Sequence, residues 1–271
     1  MKPFLKWAGG KMRLVRRIQE QLPEGTRLIE PFAGSAAVWL NTNYPAALIA
    51  DINPDLIACY RALQQQGPDF IAACRAYFVP ANNAAARYYA LRDRFNATRD
   101  PWERAVLFVY LNRHGYNGLC RYNAQGGFNV PFGRYARPYF PEAEMLAFWR
   151  KAQDATFSCA GFRTVMAEAR PGDVIYCDPP YVPLSDTANF TDYAAGGFGP
   201  GDQADLAQFA RNLASKGIPV LISNHATPFT ETAYQAASHI ERFKVQRFIS
   251  CDGDNRQVAD ELLALFAPSP S

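Results

Sequence analysis

The stretch TRLIEPFAGSAAVWL, followed by ALIAD and NPDLIACYRAL, constrains the fold more than any other part of the chain. TRLIEP is an apolar run of strand length. FAGSAAVWL turns through Gly34 into a helical pattern, ALIAD is a second strand ending at Asp51, and Pro54 opens the next helix. Strand, glycine turn, helix, strand and acid in that order begin a dinucleotide-type α/β unit.

The same alternation returns in the second half. TFSCAGF and DVIYCDPPY read as strands, ADLAQFARNLASKG as a helix closed by Gly217, and IPVLISN as another buried strand. A last strand is expected near FKVQRFIS, a closing helix at VADELLALF and a frayed tail at PSPS. Between the halves the texture is helical. PWERAVLFVYLNR reads as a mostly buried helix opened by Pro101, CRYNAQGGFNVPF as a β-hairpin turning at Gly126–Gly127, and EAEMLAFWRKAQ as a helix returning to the core. The expected fold is α/β: an open sheet of residues 1–58 and 145–271, interrupted by a helical, hairpin-bearing insertion at 59–144.

With 271 residues and 49% hydrophobic side chains, the chain has enough apolar surface for a sizeable core. No run reaches the roughly eighteen apolar residues of a membrane span, and no signal peptide is evident, so a cytoplasmic protein without a membrane partner is expected. The six cysteines lack a CxxC pair and the three histidines lack ligand spacing, which predicts buried thiols and no metal site. A net charge of +3 is too small to establish a nucleic-acid partner. Its distribution says more: between Arg113 and Arg137 lie four arginines, five aromatic residues and no acid.

Three segments carry chemistry. In VIYCDPPYVPL, Asp178 follows a buried strand at the carboxyl edge where open α/β sheets bind ligands. Pro179 and Pro180 keep carbonyls but lack N–H donors, and Tyr181 adds a flat face. An exocyclic amine on a flat base fits this set, its two hydrogens received by Asp178 and the Pro179 carbonyl. The bland reading is a rigid turn with Tyr181 as packing. EPFAGSAAV has one glycine and fails GxGxxG, which argues against a pyrophosphate but allows a tight turn beside a ligand. Asp51, about twenty residues after Glu30, stands where an acid holds ribose hydroxyls; a helix-capping acid before NPDLI is the alternative.

KWAGGK at residues 6–11 looks at first like a phosphate loop. It lacks the first glycine of GxxxxGK, the preceding strand and the Ser or Thr after the lysine, so that reading fails. Lys11 remains available for a carboxylate and Trp7 for an apolar or cationic ligand atom, with a solvated lysine opening a basic helix as the alternative.

Together FLKWAGGK, IEPFAGSAAV, IADINPDLI, YLNRHGYNGLCRYN, FNVPFGRY, YCDPPYVPLSDTANFT and VLISNH resemble DNA adenine-N6 methyltransferases of the Dam type over nearly the whole chain. DPPY alone is shared among amino-methyltransferases, whereas the YNGLCRYN…FNVPFGRY block is more specific. The resemblance implies a Rossmann-like S-adenosylmethionine-dependent sheet, residues 59–144 as a target-recognition domain, and double-stranded DNA as partner with adenine in GATC as target. It places Trp7 and Lys11 at the methionine end of the cofactor, with Phe32 and Gly34 shaping its surroundings. Asp51 would take the ribose, and Asp178 would lie between cofactor and amine. With Pro179, Pro180 and Tyr181, Asp178 forms the catalytic set, onto which the adenine is flipped. The loop SDTANFTDYAAGGFG, hinged at Gly196, Gly197 and Gly199, would close over it.

In the same resemblance the hairpin from Leu119 to Pro131 enters the major groove, with Arg121 on guanine. Tyr116 and Asn117 fill the space left by the flipped base. Arg113, Arg134 and Arg137 serve as phosphate or positioning contacts, and Lys6 resembles a base contact. One departure is CDGDNRQVADE, where Asp252 and Asp254 beside Arg256 make a usually basic segment acidic; the uncharged AQGG of the hairpin is another. A monomer associated with the nucleoid is expected. The competing expectations are another adenine site or cytosine N4, and a DNA-binding protein that has lost catalysis. A NAD-dependent oxidoreductase is disfavoured by the single-glycine turn.

Overall fold

A computed structural model describes residues 1–181, 198–246 and 258–268. Its strands are β1 (Arg27–Glu30), β2 (Ala46–Asp51), β3 (Ala155–Cys159), β4 (Asp173–Cys177), β5 (Val220–His225), β6 (His239–Gln246) and β7 (Val258–Phe266). They form one mixed sheet in the order β3-β2-β1-β4-β5-β7-β6. The order 3-2-1-4-5 is that of a doubly wound, Rossmann-like sheet. The helices are α1 (Val15–Gln21), α2 (Ala37–Asn41), α3 (Pro54–Arg75), α4 (Ala85–Ala97), α5 (Pro101–His114), α6 (Glu142–Lys151), α7 (Phe162–Ala167), α8 (Pro200–Ala214) and α9 (Pro228–Ala233). Among the described residues no helix is long and apolar enough to cross a membrane.

The chain divides into two compact units. One comprises Met1–Arg16, Ala33–Asn43 and Ala47–Cys159; the other comprises Arg17–Phe32, Tyr44–Ala46 and Ala160–Ser271.

In the first unit β2 and β3 run parallel, with Ala47 opposite Ala155 and Asp51 opposite Cys159. Its core is aromatic. Phe148 meets Phe4, Trp39, Tyr60 and Phe157 at centroid distances of 4.8–5.8 Å, pairs worth about 0.5–1.5 kcal/mol each beyond their area. Helix α3 starts at Asn53, whose side chain accepts from the Asp55 and Leu56 N–H groups, with Pro54 preset for the first turn. It breaks at Gly67, where φ is +44° and an added Cβ would lie 2.6 Å from the Trp149 ring. Only glycine fits there. Helix α5 is capped by Asp100 and buried from Ala105 to His114, so its sequence lacks a polar face.

In the second unit β1, β4 and β5 are parallel, with Leu28 opposite Val174 and Ile175 opposite Val220. Leu28–Ile29, Val174–Cys177 and Val220–Ile222 are buried throughout, as expected for parallel strands covered on both faces. Arg27 grips Asp173 through two hydrogen bonds of 2.9 and 2.7 Å at the start of this pairing.

The structure corrects two expectations and thins a third. VADELLALF is not a closing helix: it is β7, antiparallel to both β5 and β6. A short run such as LLALF suits a buried helix or a buried strand equally, and here paired backbone on both sides decides. The cysteines are not all buried. Cys59, Cys74 and Cys177 are, whereas Cys120 is half-buried and Cys159 exposed. The CRYNAQGG hairpin is a turn with an isolated Tyr122–Phe128 bridge rather than a ladder. Residues 182–197, including Gly196 and Gly197 of the expected closing loop, lie outside the described residues, as do Asp252, Asp254, Arg256 and the last three residues.

Candidate active site

In the first unit, the glycines of KWAGGK make a tight turn: the Gly10 N–H donates to the Trp7 carbonyl at 3.2 Å, and Gly9 has φ of +74°. Lys11 follows it, buried, with Nζ donating to the Gly9 carbonyl at 2.9 Å. Trp7 lies across Gly34, where a Cβ would come within 2.8 Å of the indole and φ is +47°. Any side chain at this position would push the tryptophan away.

The Gly34 N–H donates to Asp51 Oδ2 at 3.0 Å, and the Asn53 N–H donates to Oδ1 at 2.9 Å. Asp51 therefore does not cap α3; Asn53 does. Burial raises the Asp51 carboxyl above its ordinary range, opposed by the N–H groups of Asn53, Gly34 and Ile52. Trp7, Lys11, Gly34 and Asp51 come together in one unit, although 44 residues separate the first from the last.

In the second unit, β4 delivers Asp178 at its carboxyl end. Ser223 Oγ donates to Asp178 Oδ1 at 3.0 Å and lies 3.0 Å from the Tyr176 hydroxyl. This orients the carboxylate from β5. Pro179 is buried and Pro180 exposed. The Tyr181 hydroxyl donates to Glu261 Oε2 at 3.3 Å, and its ring meets His225 edge-on at 4.6 Å. Burial, with Asp178, Tyr176 and Glu261 nearby, raises the Tyr181 phenol well above its ordinary value, so it stays neutral. Phe32, also in this unit, stacks on Phe162 at 5.5 Å and meets Phe198 edge-on.

The basic, aromatic segment belongs to the first unit. Tyr116, Asn117, Arg121, Pro131, Arg134 and Arg137 are exposed, and Leu119 is half-buried. Asn117 and Arg134 hold φ near +50°, a conformation uncommon outside glycine. Arg121 Nε donates to Asn129 Oδ1 at 2.9 Å, while Asn123 Oδ1 accepts from the Gln125 and Gly127 N–H groups to close the turn.

Arg113 differs from its neighbours. It is buried, donates to the Tyr139 carbonyl at 3.0 Å and to the Phe4 carbonyl at 3.5 Å, and has its pKa lowered by burial. Lys6 has its ammonium 3.9 Å above the Tyr135 ring, and burial, then Arg113, lowers its pKa.

The profile of the D12 class N6 adenine-specific DNA methyltransferases matches residues 7–248. The chain belongs to this family. Curated proteins named DNA adenine methylase align over 98% of it. That of Salmonella typhi is 53% identical with 95% of its length covered, that of Escherichia coli K12 is 52% identical with 95% covered, and that of Vibrio cholerae is 52% identical with 96% covered. The enzyme is an adenine-specific DNA methyltransferase with DNA as its substrate.

Three groups in this methyltransferase escape a reading by motif. Asp55 accepts from Arg104 through both carboxylate oxygens and from the Tyr122 hydroxyl at 2.6 Å, anchoring the base of the hairpin on α3. Asn112 clamps Lys6 by accepting from its N–H at 2.8 Å and donating to its carbonyl at 2.7 Å. Glu261 reaches Tyr181 because β7 places it opposite His225. The available signal was a polar residue set within an apolar run; the partners are remote in sequence.

Proposed function

We propose that the enzyme transfers a methyl group from S-adenosylmethionine to N6 of adenine in GATC sites of duplex DNA. The observation that carries this reading is Asp178 at the end of β4, its carboxylate oriented by Ser223 and followed by two donor-free prolines and Tyr181.

The residues of the first unit fit the cofactor chemically. Asp51, a half-buried carboxylate set by two backbone N–H groups, suits ribose hydroxyls. Lys11 suits the methionine carboxylate, and the Trp7 face over Gly34 suits the apolar and cationic part. Phe32 is proposed to contribute an aromatic wall. When bound, S-adenosylmethionine supplies a methyl already activated on a sulfonium.

The chain's own residues then position the amine. Asp178 and the Pro179 carbonyl accept its two hydrogens, which frees the nitrogen lone pair for the methyl carbon. Asp178 would also hold the proton that the amine gives up once methylated by the bound cofactor. Adenine reaches this set by flipping from the stack, with Tyr181 against it. The neutral phenol, tied to Glu261, keeps the ring from turning.

Residues 59–144 serve as target-recognition domain and 1–58 with 145–271 as catalytic domain. Arg121 reads guanine in the major groove, with Leu119 and Pro131 on the flanking base edges. Tyr116 and Asn117 occupy the gap left by the adenine, and Lys6 adds a base contact. Arg134 and Arg137 take phosphates, whereas the buried Arg113 positions the segment. The enzyme acts as a monomer in the cytoplasm, at the nucleoid.

The test is transfer of labelled methyl to duplexes with and without GATC, followed by base analysis. Label on N6-methyladenine in GATC duplexes alone is expected. Equal label in GATC-free DNA, or label on cytosine, overturns the reading.

A further inference from the structure

The two prolines of the DPPY turn pose a mechanical problem. Neither has an N–H, so the backbone beyond Asp178 can be pinned only through its carbonyls. One of these has a dedicated donor. Gln203 Nε2, from the first turn of α8, donates to the Pro180 carbonyl at 2.8 Å. Gln203 is 2% exposed and is itself held on its other atom: Oε1 accepts from Asn224 Nδ2 at 3.0 Å and from the Tyr234 hydroxyl at 3.1 Å. Asn224 Nδ2 also lies 3.1 Å from the Tyr234 hydroxyl. Asn224 and Tyr234 have no exposed surface.

These contacts fix which end of the amide is NH2, because both donors face Oε1. They also fix the side chain's direction from two elements, β5 and the residue after α9. A buried amide costs free energy unless its atoms are matched, and here the matching is concentrated on one backbone oxygen next to the catalytic set.

We propose that Gln203 is a positioning residue for methyl transfer: it holds the Pro180 peptide plane, and through it the Pro179 carbonyl and the Tyr181 ring, in the geometry that receives the adenine amine. The proposal rests on the reading that the DPPY turn receives this amine. Asn224 and Tyr234 act one step further out by holding the Gln203 amide. The role concerns the chemical step and not DNA capture, so kcat carries the effect and KM does not.

The experiment compares Gln203→Leu, Gln203→Glu and Tyr234→Phe with the wild-type chain in single-turnover and steady-state methyl transfer on a GATC duplex, with Asp178→Ala as reference. Gln203→Leu keeps the volume and removes the donor; a fall in kcat of about 10- to 100-fold is expected, in the range a mispositioned reacting group produces, with KM for DNA and cofactor within about twofold. Tyr234→Phe keeps the packing and should lower kcat by only about two- to fivefold.

Gln203→Glu supplies the readout that a packing role would not move. When protonated, its O–H donates to the Pro180 carbonyl; when ionised, it repels that oxygen. Its kcat should therefore recover as pH falls and decline as pH rises, a limb absent from the wild type. Wild-type kcat in Gln203→Leu, or a Gln203→Glu profile parallel to the wild type, overturns the proposal. Should Gln203→Leu not fold, Tyr234→Phe and the Gln203→Glu profile still decide. Full activity in Asp178→Ala would instead sink the underlying assignment of the DPPY turn.

Discussion

Around Asp178 the turn is held by buried side chains of separate elements through hydrogen bonds: Ser223 donates to Asp178, Gln203 donates to the Pro180 carbonyl and Glu261 accepts from Tyr181. Around Arg121 the chain is exposed, its strands meet at an isolated bridge, and the firm attachment lies one residue away at Tyr122 and Asp55. Under the proposed function, the contrast follows from what each region would handle. A carboxylate and carbonyl that must meet two hydrogens on one nitrogen gain from a rigid, low-dielectric frame. A segment that reads base edges must leave its donors in water until DNA displaces it, and needs only its base fixed.

The comparison can be broken first at Asp178. Asp178→Ala should lower methyl transfer by about 10²- to 10⁴-fold while duplex binding survives, measured by single-turnover labelling and gel shift. Near-normal turnover would remove Asp178 from its role and with it the idea that the buried region does the chemistry.

The next largest effect is expected at the anchor of the exposed region. Asp55→Ala leaves Arg104 without its carboxylate, with only the Phe95 carbonyl and ring as partners, and should cost about 2–3 kcal/mol in urea unfolding, the lower side of a buried pair because Arg104 keeps part of its surface in water. Tyr122→Phe keeps the ion pair and should cost about 1 kcal/mol. Equal costs would mean that the tyrosine hydroxyl, not the ion pair, holds the hairpin.

Arg121→Ala should leave stability unchanged and reduce discrimination between GATC and single-base variants by about 1–3 kcal/mol, read from kcat/KM ratios. A uniform fall on all sequences would make Arg121 a phosphate contact.

The smallest effect is in pH. His114, at the end of α5, has its pKa lowered to about 4, by burial first and then by Lys6 and Arg113, although its bond to the Tyr110 carbonyl opposes this. Its folded value lies below the unfolded value near 6.5, so the unfolded chain binds the extra proton. The neutral imidazole's contribution is therefore full above about pH 6.5 and is lost as pH falls towards 4. Unfolding at pH 7.5 and 5.0 should differ by about 1–2 kcal/mol more in the wild type than in His114→Gln. No difference would show that α5 relaxes to admit water.

Much of this was legible in the chain. Gly34, Pro54, Pro101 and the acid at Asp51 mark turns and helix starts through φ and N–H constraints that act within a few residues. The Asp178-Pro-Pro-Tyr order lies in consecutive residues, so its chemistry needs no folding to be noticed. VADELLALF reads as a helix but folds as a strand because its burial comes from pairing with β5 and β6, and nothing local separates a two-sided buried strand from a helix. In sequence Arg113 groups with the exposed arginines, because nothing local shows that the Phe4 and Tyr139 carbonyls converge on it.

The alternating elements, the family and the residue types offered for the chemistry follow from the chain alone, since these depend on local backbone rules and on contiguous motifs. Which groups hold those residues in place emerges in the folded chain: Asn53 and not Asp51 at the helix cap, Asp55 under the hairpin, Gln203 on Pro180 and Glu261 on Tyr181. Asp55, Gln203 and Glu261 are buried polar groups whose desolvation must be matched by a partner, and that partner is set by strand order and helix packing over tens of residues.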